Sequence, residues 1–74
     1  MTKITIKTEY INLGQFLKYV GIIGSGAQAK AFLLEQTVLV NGEQEQRRGR
    51  KLYKDFIIEI EKKKFVIGKD NVLS

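Results

Sequence analysis

The chain has 74 residues, the length of one small domain with a thin core and no room for a deep substrate cavity. It contains neither cysteine nor histidine, which excludes disulfides, the usual zinc sites and catalysis by Cys or His. The net charge is +5, and one run of five cations accounts for it: Arg47, Arg48, Arg50, Lys51 and Lys54. The positive and negative charges of the other residues cancel.

We call residues 47–54 the basic segment. A local excess of positive charge on a near-neutral body predicts contact with a polyanion, and a solvated loop is the alternative that charge alone leaves open. No apolar run resembles a signal peptide or reaches the 18 residues or so of a membrane span, so we expect a cytoplasmic protein without membrane contact. We expect no cofactor, metal or small-molecule substrate, and no enzymatic activity.

The first half of the chain predicts a strand and two short helices. Residues 3–7 alternate between polar and apolar side chains, as in a strand with one buried face. Asn12 and Gln15 form a capping-box pattern before an apolar helical face, and Gly21 is positioned to end that helix. Ser25 is expected to cap a second, strongly apolar helix, with Gln28 at its capping-box position.

The second half predicts three or four strands. They are expected at residues 38–40, 43–46, 56–60 and 65–67. Asn41-Gly42 predicts a tight turn between the first two strands, and Lys62 to Lys64 a charged turn between the last two. Residues 68–74 are expected to form a flexible tail. This order of elements predicts an α+β fold.

Four segments, in this order and spacing, resemble the S4 RNA-binding domain family. They are Asn12-Leu13-Gly14-Gln15-Phe16-Leu17, Ser25-Gly26-Ala27-Gln28-Ala29-Lys30, Thr37-Val38-Leu39-Val40-Asn41-Gly42, and residues 53–60. The resemblance covers about residues 10–60 and is nearest to the small, stand-alone bacterial S4-like proteins. It implies one domain over residues 1–74 with an S4-like (alpha-L) fold, in which two short helices pack on a small, mostly antiparallel sheet.

The same resemblance implies non-catalytic binding of structured RNA, either ribosomal or tRNA-like, with a role in ribosome assembly and contact with ribosomal particles. The expected RNA-binding residues form two groups, one at the basic segment and one at the second helix: Arg47, Arg48, Arg50, Lys51 and Lys54, with Ser25, Gly26, Gln28 and Lys30. The cations can hold phosphate oxygens, and so can backbone N–H groups at a helix start.

Several alternatives stay open from the sequence. The family usually has an Arg where this chain has Gly26, which predicts either closer backbone approach to a phosphate or weaker binding. Tyr53 is expected either to stack on an unpaired base or to pack against a strand. Glu43 and Glu45 are expected to be solvated strand residues. The competing function is a protein-interaction adaptor that retains the fold with weak or no RNA binding.

Overall fold

The described part of the chain contains seven strands and two short α-helices. The structure is a computed structural model, and it describes residues 1–70. Its strands are β1 (Thr2–Ile6), β2 (Ile11–Asn12), β3 (Val38–Val40), β4 (Glu43–Gln44), β5 (Lys51–Leu52), β6 (Ile57–Ile60) and β7 (Lys63–Lys69). Its helices are α1 (Leu13–Tyr19) and α2 (Ala29–Glu35), and a short 3₁₀ turn over Gly26–Gln28 leads into α2.

The strands form one larger and one smaller sheet. The larger sheet has the order β1-β7-β6-β3-β4, in which β1 and β7 run parallel and the other neighbours antiparallel. The smaller sheet is the antiparallel pair of β2 and β5, with Ile11 opposite Leu52. The predicted α+β architecture with a mostly antiparallel sheet is therefore confirmed, and the parallel strand pair and the smaller sheet are additions to it.

The two predicted capping boxes lie at the start of α1 and at the start of the 3₁₀ turn that leads into α2. The backbone N–H of Asn12 donates to Gln15 Oε1 at 3.0 Å, which satisfies a donor at the start of α1. The N–H groups of Gly24 and Ser25 donate to Gln28 Oε1 at 2.6 and 3.2 Å. Each α-helix has only seven residues and would be marginal alone, so its stability comes from packing against the sheet.

One apolar core joins the helices to the sheet. Its fully buried side chains are Leu13, Phe16, Leu17, Ala29, Leu33, Val38, Leu52, Ile58 and Ile67. The ring of Phe16 on α1 meets the ring of Phe65 on β7 edge-on, with centroids 5.3 Å apart. This contact packs α1 against β7 of the larger sheet. In the part of the chain that is described, no helix is long and apolar enough to cross a membrane.

Two predictions about the C-terminal region need correction. Gly68 and Lys69 belong to β7 and pair with Thr5 and Ile6 of β1, so the expected tail does not begin at residue 68. The remainder of that tail, residues 71–74, lies outside the described residues. The turn between β6 and β7 is also shorter than expected, since Lys63 and Lys64 already belong to β7. The tail was mispredicted because the β1 partner is distant in sequence.

Candidate RNA interface

The backbone of the basic segment is held by the N-terminus of α1. The N–H of Leu13 donates to the carbonyl oxygen of Arg50 at 2.8 Å, and the N–H of Gly14 donates to that of Arg48, also at 2.8 Å. Helix N-termini have unpaired N–H groups, and here the basic segment supplies acceptors for two of them. Its side chains are therefore presented from a fixed main chain and not from a loose loop.

Close packing at Gly14 brings the basic segment next to the start of the second helix. A Cβ atom at Gly14 would lie 3.4 Å from the Cβ and carbonyl oxygen of Arg48, and 3.5 Å from the Cβ of Ala29. A shallow groove beside this contact is lined by Gly26 and Ala29 on one side and by Arg48 and Gly49 on the other. We call it the junction groove. Of the two groups of residues predicted from the sequence, Arg48 and Gly26 line this groove.

Glu45 is an acidic member of this region, and the prediction that it is solvated is wrong. Its side chain is 8% exposed and accepts hydrogen bonds from Arg47 Nε and Nη2 at 3.0 Å and from Arg50 Nη1 at 2.9 Å. Strand β4 ends at Gln44, and the N–H of Glu45 donates to the Val38 carbonyl at 2.9 Å, which fixes the residue inward. Glu43 is exposed, as expected.

The two arginines stabilise Glu45 as a carboxylate. The hydrogen bond from Arg47 is the main cause that lowers the pKa of Glu45 to about 2, against the opposing effect of burial. In return, Glu45 raises the pKa of Arg47. Because one carboxylate is shared by Arg47 and Arg50, these two cations are oriented by the protein and are partly neutralised before any ligand arrives.

The other three cations of the basic segment differ in their surroundings. Arg48 and Lys54 are exposed, and neither forms an ion pair with any residue in the described range. Lys51 lies with its Nζ 4.8 Å from the centre of the Tyr10 ring, a cation–π geometry. Arg48 and Lys54 are therefore the cations of this segment that are most available to an incoming phosphate.

The residues predicted at the second helix have different local roles. Gln28 uses its side-chain oxygen to cap the 3₁₀ turn, as described above. Gly26 has open space around it, with no atom within 4 Å of a Cβ built there. Ser25 and Lys30 are both exposed. Gly26 lines the junction groove, whereas Ser25, Gln28 and Lys30 are not among the residues that line it.

Sequence reasoning missed two side chains that shape this surface, Glu45 and Tyr10. Glu45 carried a usable signal, since it is the acidic residue nearest to the arginines of the basic segment. Tyr10 carried a weaker signal, because its contact with Tyr53 depends on the two-residue strands β2 and β5. Pairs this short are below the length at which alternation is recognisable.

An α+β domain with a fixed, cation-rich segment beside a helix start has the features of a small RNA-binding domain. A family model described as the S4 domain matches residues 4–68. The chain therefore belongs to the S4 domain family, and the expected class, an RNA-binding domain of the S4 type, is confirmed. The chain is also 59% identical over 58 residues to the "Probable ribosome maturation protein RlbA" of Bacillus subtilis (strain 168). The aligned region covers 78% of this chain and 82% of that protein.

Proposed function

We propose that this protein binds structured ribosomal RNA during ribosome maturation, without catalysis, through the basic segment and the junction groove. The observation that carries the proposal is the hydrogen bonding of Leu13 and Gly14 to the basic segment. It fixes the main chain at Arg48, and the turn that carries Lys54 is held separately by hydrogen bonds from Asp55 N–H to the Ile67 carbonyl and from Phe56 N–H to the Tyr53 carbonyl. Less loop ordering is therefore needed on binding. The similarity to a protein named for ribosome maturation supports the biological context.

Phosphate contact is the main source of affinity in this proposal. A-form RNA hides base edges in a deep, narrow groove, so recognition depends on backbone position and shape. If four or five phosphates are neutralised, the logarithm of the binding constant falls with the logarithm of salt concentration at a slope of roughly −3 to −4.5. The paired Arg47 and Arg50 place the value nearer the shallow end, because Glu45 already offsets one positive charge.

The experiment compares two charge-reversal variants with the same change in net charge. In the first, Arg48→Glu is combined with Lys54→Glu, which leaves the Arg47–Glu45–Arg50 group intact. In the control, Lys62→Glu is combined with Lys63→Glu at the end of β6 that lies away from the basic segment. Binding to bacterial ribosomal RNA fragments is measured by fluorescence anisotropy at several salt concentrations.

We expect the first variant to lose most of its affinity and to show a shallower salt slope, by about 2 if two phosphate contacts are removed. The control variant should bind much as the wild type does, apart from a small long-range electrostatic effect. Equal losses in both variants would contradict the proposed face. Two results would favour the adaptor function instead. One is RNA binding that does not depend on salt, and the other is a protein partner that stays bound after nuclease treatment when no RNA binding is detected.

A further inference from the structure

We propose that Tyr53, supported by Tyr10 and Phe56, forms a stacking site for one unpaired nucleobase of the bound RNA. The inference rests on the proposed function and extends it, because it specifies a nucleotide that the phosphate contacts alone do not require. The target is then a structured RNA with at least one splayed-out base next to the phosphates that contact the basic segment.

The smaller sheet builds this aromatic cluster. Its antiparallel register, with Ile11 opposite Leu52, continues one residue further to bring Tyr10 opposite Tyr53. The centroids of these two rings are 5.7 Å apart and their planes are tilted by 53°. Tyr53 also contacts Phe56, with a centroid distance of 5.7 Å and an angle of 64°. Tyr53 is therefore held between two aromatic neighbours and is already oriented before a ligand binds.

The cluster is open to solvent even though it is well organised. Tyr10 is 37% exposed and Tyr53 is 39% exposed, while Phe56 is half-buried. Leu52, the neighbour of Tyr53 in the chain, is fully buried and anchors the strand. Packing alone accounts for Phe56 and Leu52, but it leaves Tyr53 39% exposed. An ordered, accessible ring of this kind can accept the π-face of a base.

Cations surround the aromatic cluster and match the charge of a nucleotide. Lys51 Nζ lies 4.8 Å from the centre of the Tyr10 ring, and Arg50 Cζ lies 5.8 Å from the centre of the Phe56 ring. Tyr53 and Phe56 share an open cavity of about 550 Å³ with Arg47, Gly49, Arg50 and Lys51. A nucleotide offers a flat aromatic base and an adjoining phosphate, so it suits both parts of this surface.

The test separates base stacking from phosphate binding with two probes of equal length and charge. One probe is a short single-stranded oligoadenylate, and the other is the corresponding abasic ribose-phosphate oligomer. Tyr53→Leu removes the aromatic face, and Tyr53→Phe retains it. Tyr19→Leu changes a tyrosine that is 65% exposed and makes no ring contact with another described residue, and it serves as the control.

Stacking on one aromatic residue predicts that the wild type prefers the oligoadenylate by about 5-fold or more. Tyr53→Phe and Tyr19→Leu should keep that preference, and Tyr53→Leu should lose it while still binding both probes. Equal binding of the two probes by the wild type, or an unchanged preference in Tyr53→Leu, would overturn the stacking site alone. Failure of the wild type to bind either probe, while it still binds the ribosomal RNA fragments, would overturn the stacking site and leave the proposed function standing. Failure to bind the ribosomal RNA fragments themselves would overturn the proposed function.

A second measurement does not depend on the stability of the leucine variant. The chain has no tryptophan, so Tyr53→Trp introduces a single indole at the site. Stacking should quench its fluorescence on addition of the oligoadenylate but not on addition of the abasic oligomer. Equal quenching by both probes, or none by either while RNA is bound, would overturn the inference.

Discussion

Glu45 offers a quantitative test of how the basic segment is held. Glu45→Gln keeps the shape of the side chain but removes the charge that Arg47 and Arg50 share. The pKa of Glu45 is lowered from 4.5 to about 2, which corresponds to a ceiling of about 3 kcal/mol of stabilisation at neutral pH. The Arg47 side chain is 74% exposed, so solvent screening reduces the expected loss to about 1–2 kcal/mol.

The pH dependence has a defined sign. A carboxyl whose pKa is lower in the folded state stabilises the fold above its unfolded pKa, and this stabilisation is lost as the pH falls through the folded value. The wild type should therefore lose the contribution of Glu45 between a pH of about 4.5 and a pH of about 2. Glu45→Gln should be less stable at neutral pH, and its stability should fall less over that acidic range.

The assay is urea unfolding followed by circular dichroism at a series of pH values. Glu43→Gln is the matched control, because Glu43 lies on the preceding strand, is exposed and makes no ion pair with a described residue. This control should follow the wild-type pH profile. If Glu45→Gln and the wild type had parallel profiles, the carboxylate would not be stabilised as the geometry indicates, and the argument for a pre-positioned Arg47 and Arg50 would be refuted.

Two further positions, Gly26 and Asn41, test the junction groove and the turn between β3 and β4. Gly26→Arg has room for its side chain and should raise RNA affinity several-fold at low salt, with a salt slope steeper by roughly 0.7–0.9 for one added phosphate contact. An unchanged affinity and slope in anisotropy titrations would place Gly26 outside the RNA-binding face. The Asn41 side chain accepts a hydrogen bond from the Ile57 N–H at 2.9 Å, and Asn41 itself has a φ of 52°. Asn41→Ala removes that acceptor and strains the backbone, so chemical unfolding should show that the free energy of unfolding falls by about 1–3 kcal/mol. Asn41→Gly should lose less, because glycine tolerates that φ, and equal losses would show that backbone strain is not a factor.

Several local features could be predicted because neighbouring residues determine them. The capping boxes at Asn12 and Ser25 depend on side chains three residues away, and α1 and the 3₁₀ turn before α2 begin where these patterns indicate. The Asn41-Gly42 turn has positive φ at both residues, as its composition predicts. The concentration of charge in the basic segment is likewise a property of composition. These features belong to the sequence because a few adjacent residues are sufficient to specify them.

The surroundings of the candidate site were decided by tertiary structure. Glu45 is buried against two arginines because β4 ends one residue earlier and turns it inward. Its place beside the arginines in the sequence was a usable signal for the ion pairs, but its polar neighbours gave no signal for burial. The pairing of β1 with β7 joins segments near opposite ends of the chain, and Tyr10 reaches Tyr53 through strands of two residues. Long-range pairing leaves no local periodicity to recognise. The sequence by itself determined the family pattern, the helix starts and the charge of the basic segment. Only the tertiary structure decided which cations are paired and which aromatic rings lie beside them. The reason is that those contacts depend on strand pairing between residues that are distant along the chain.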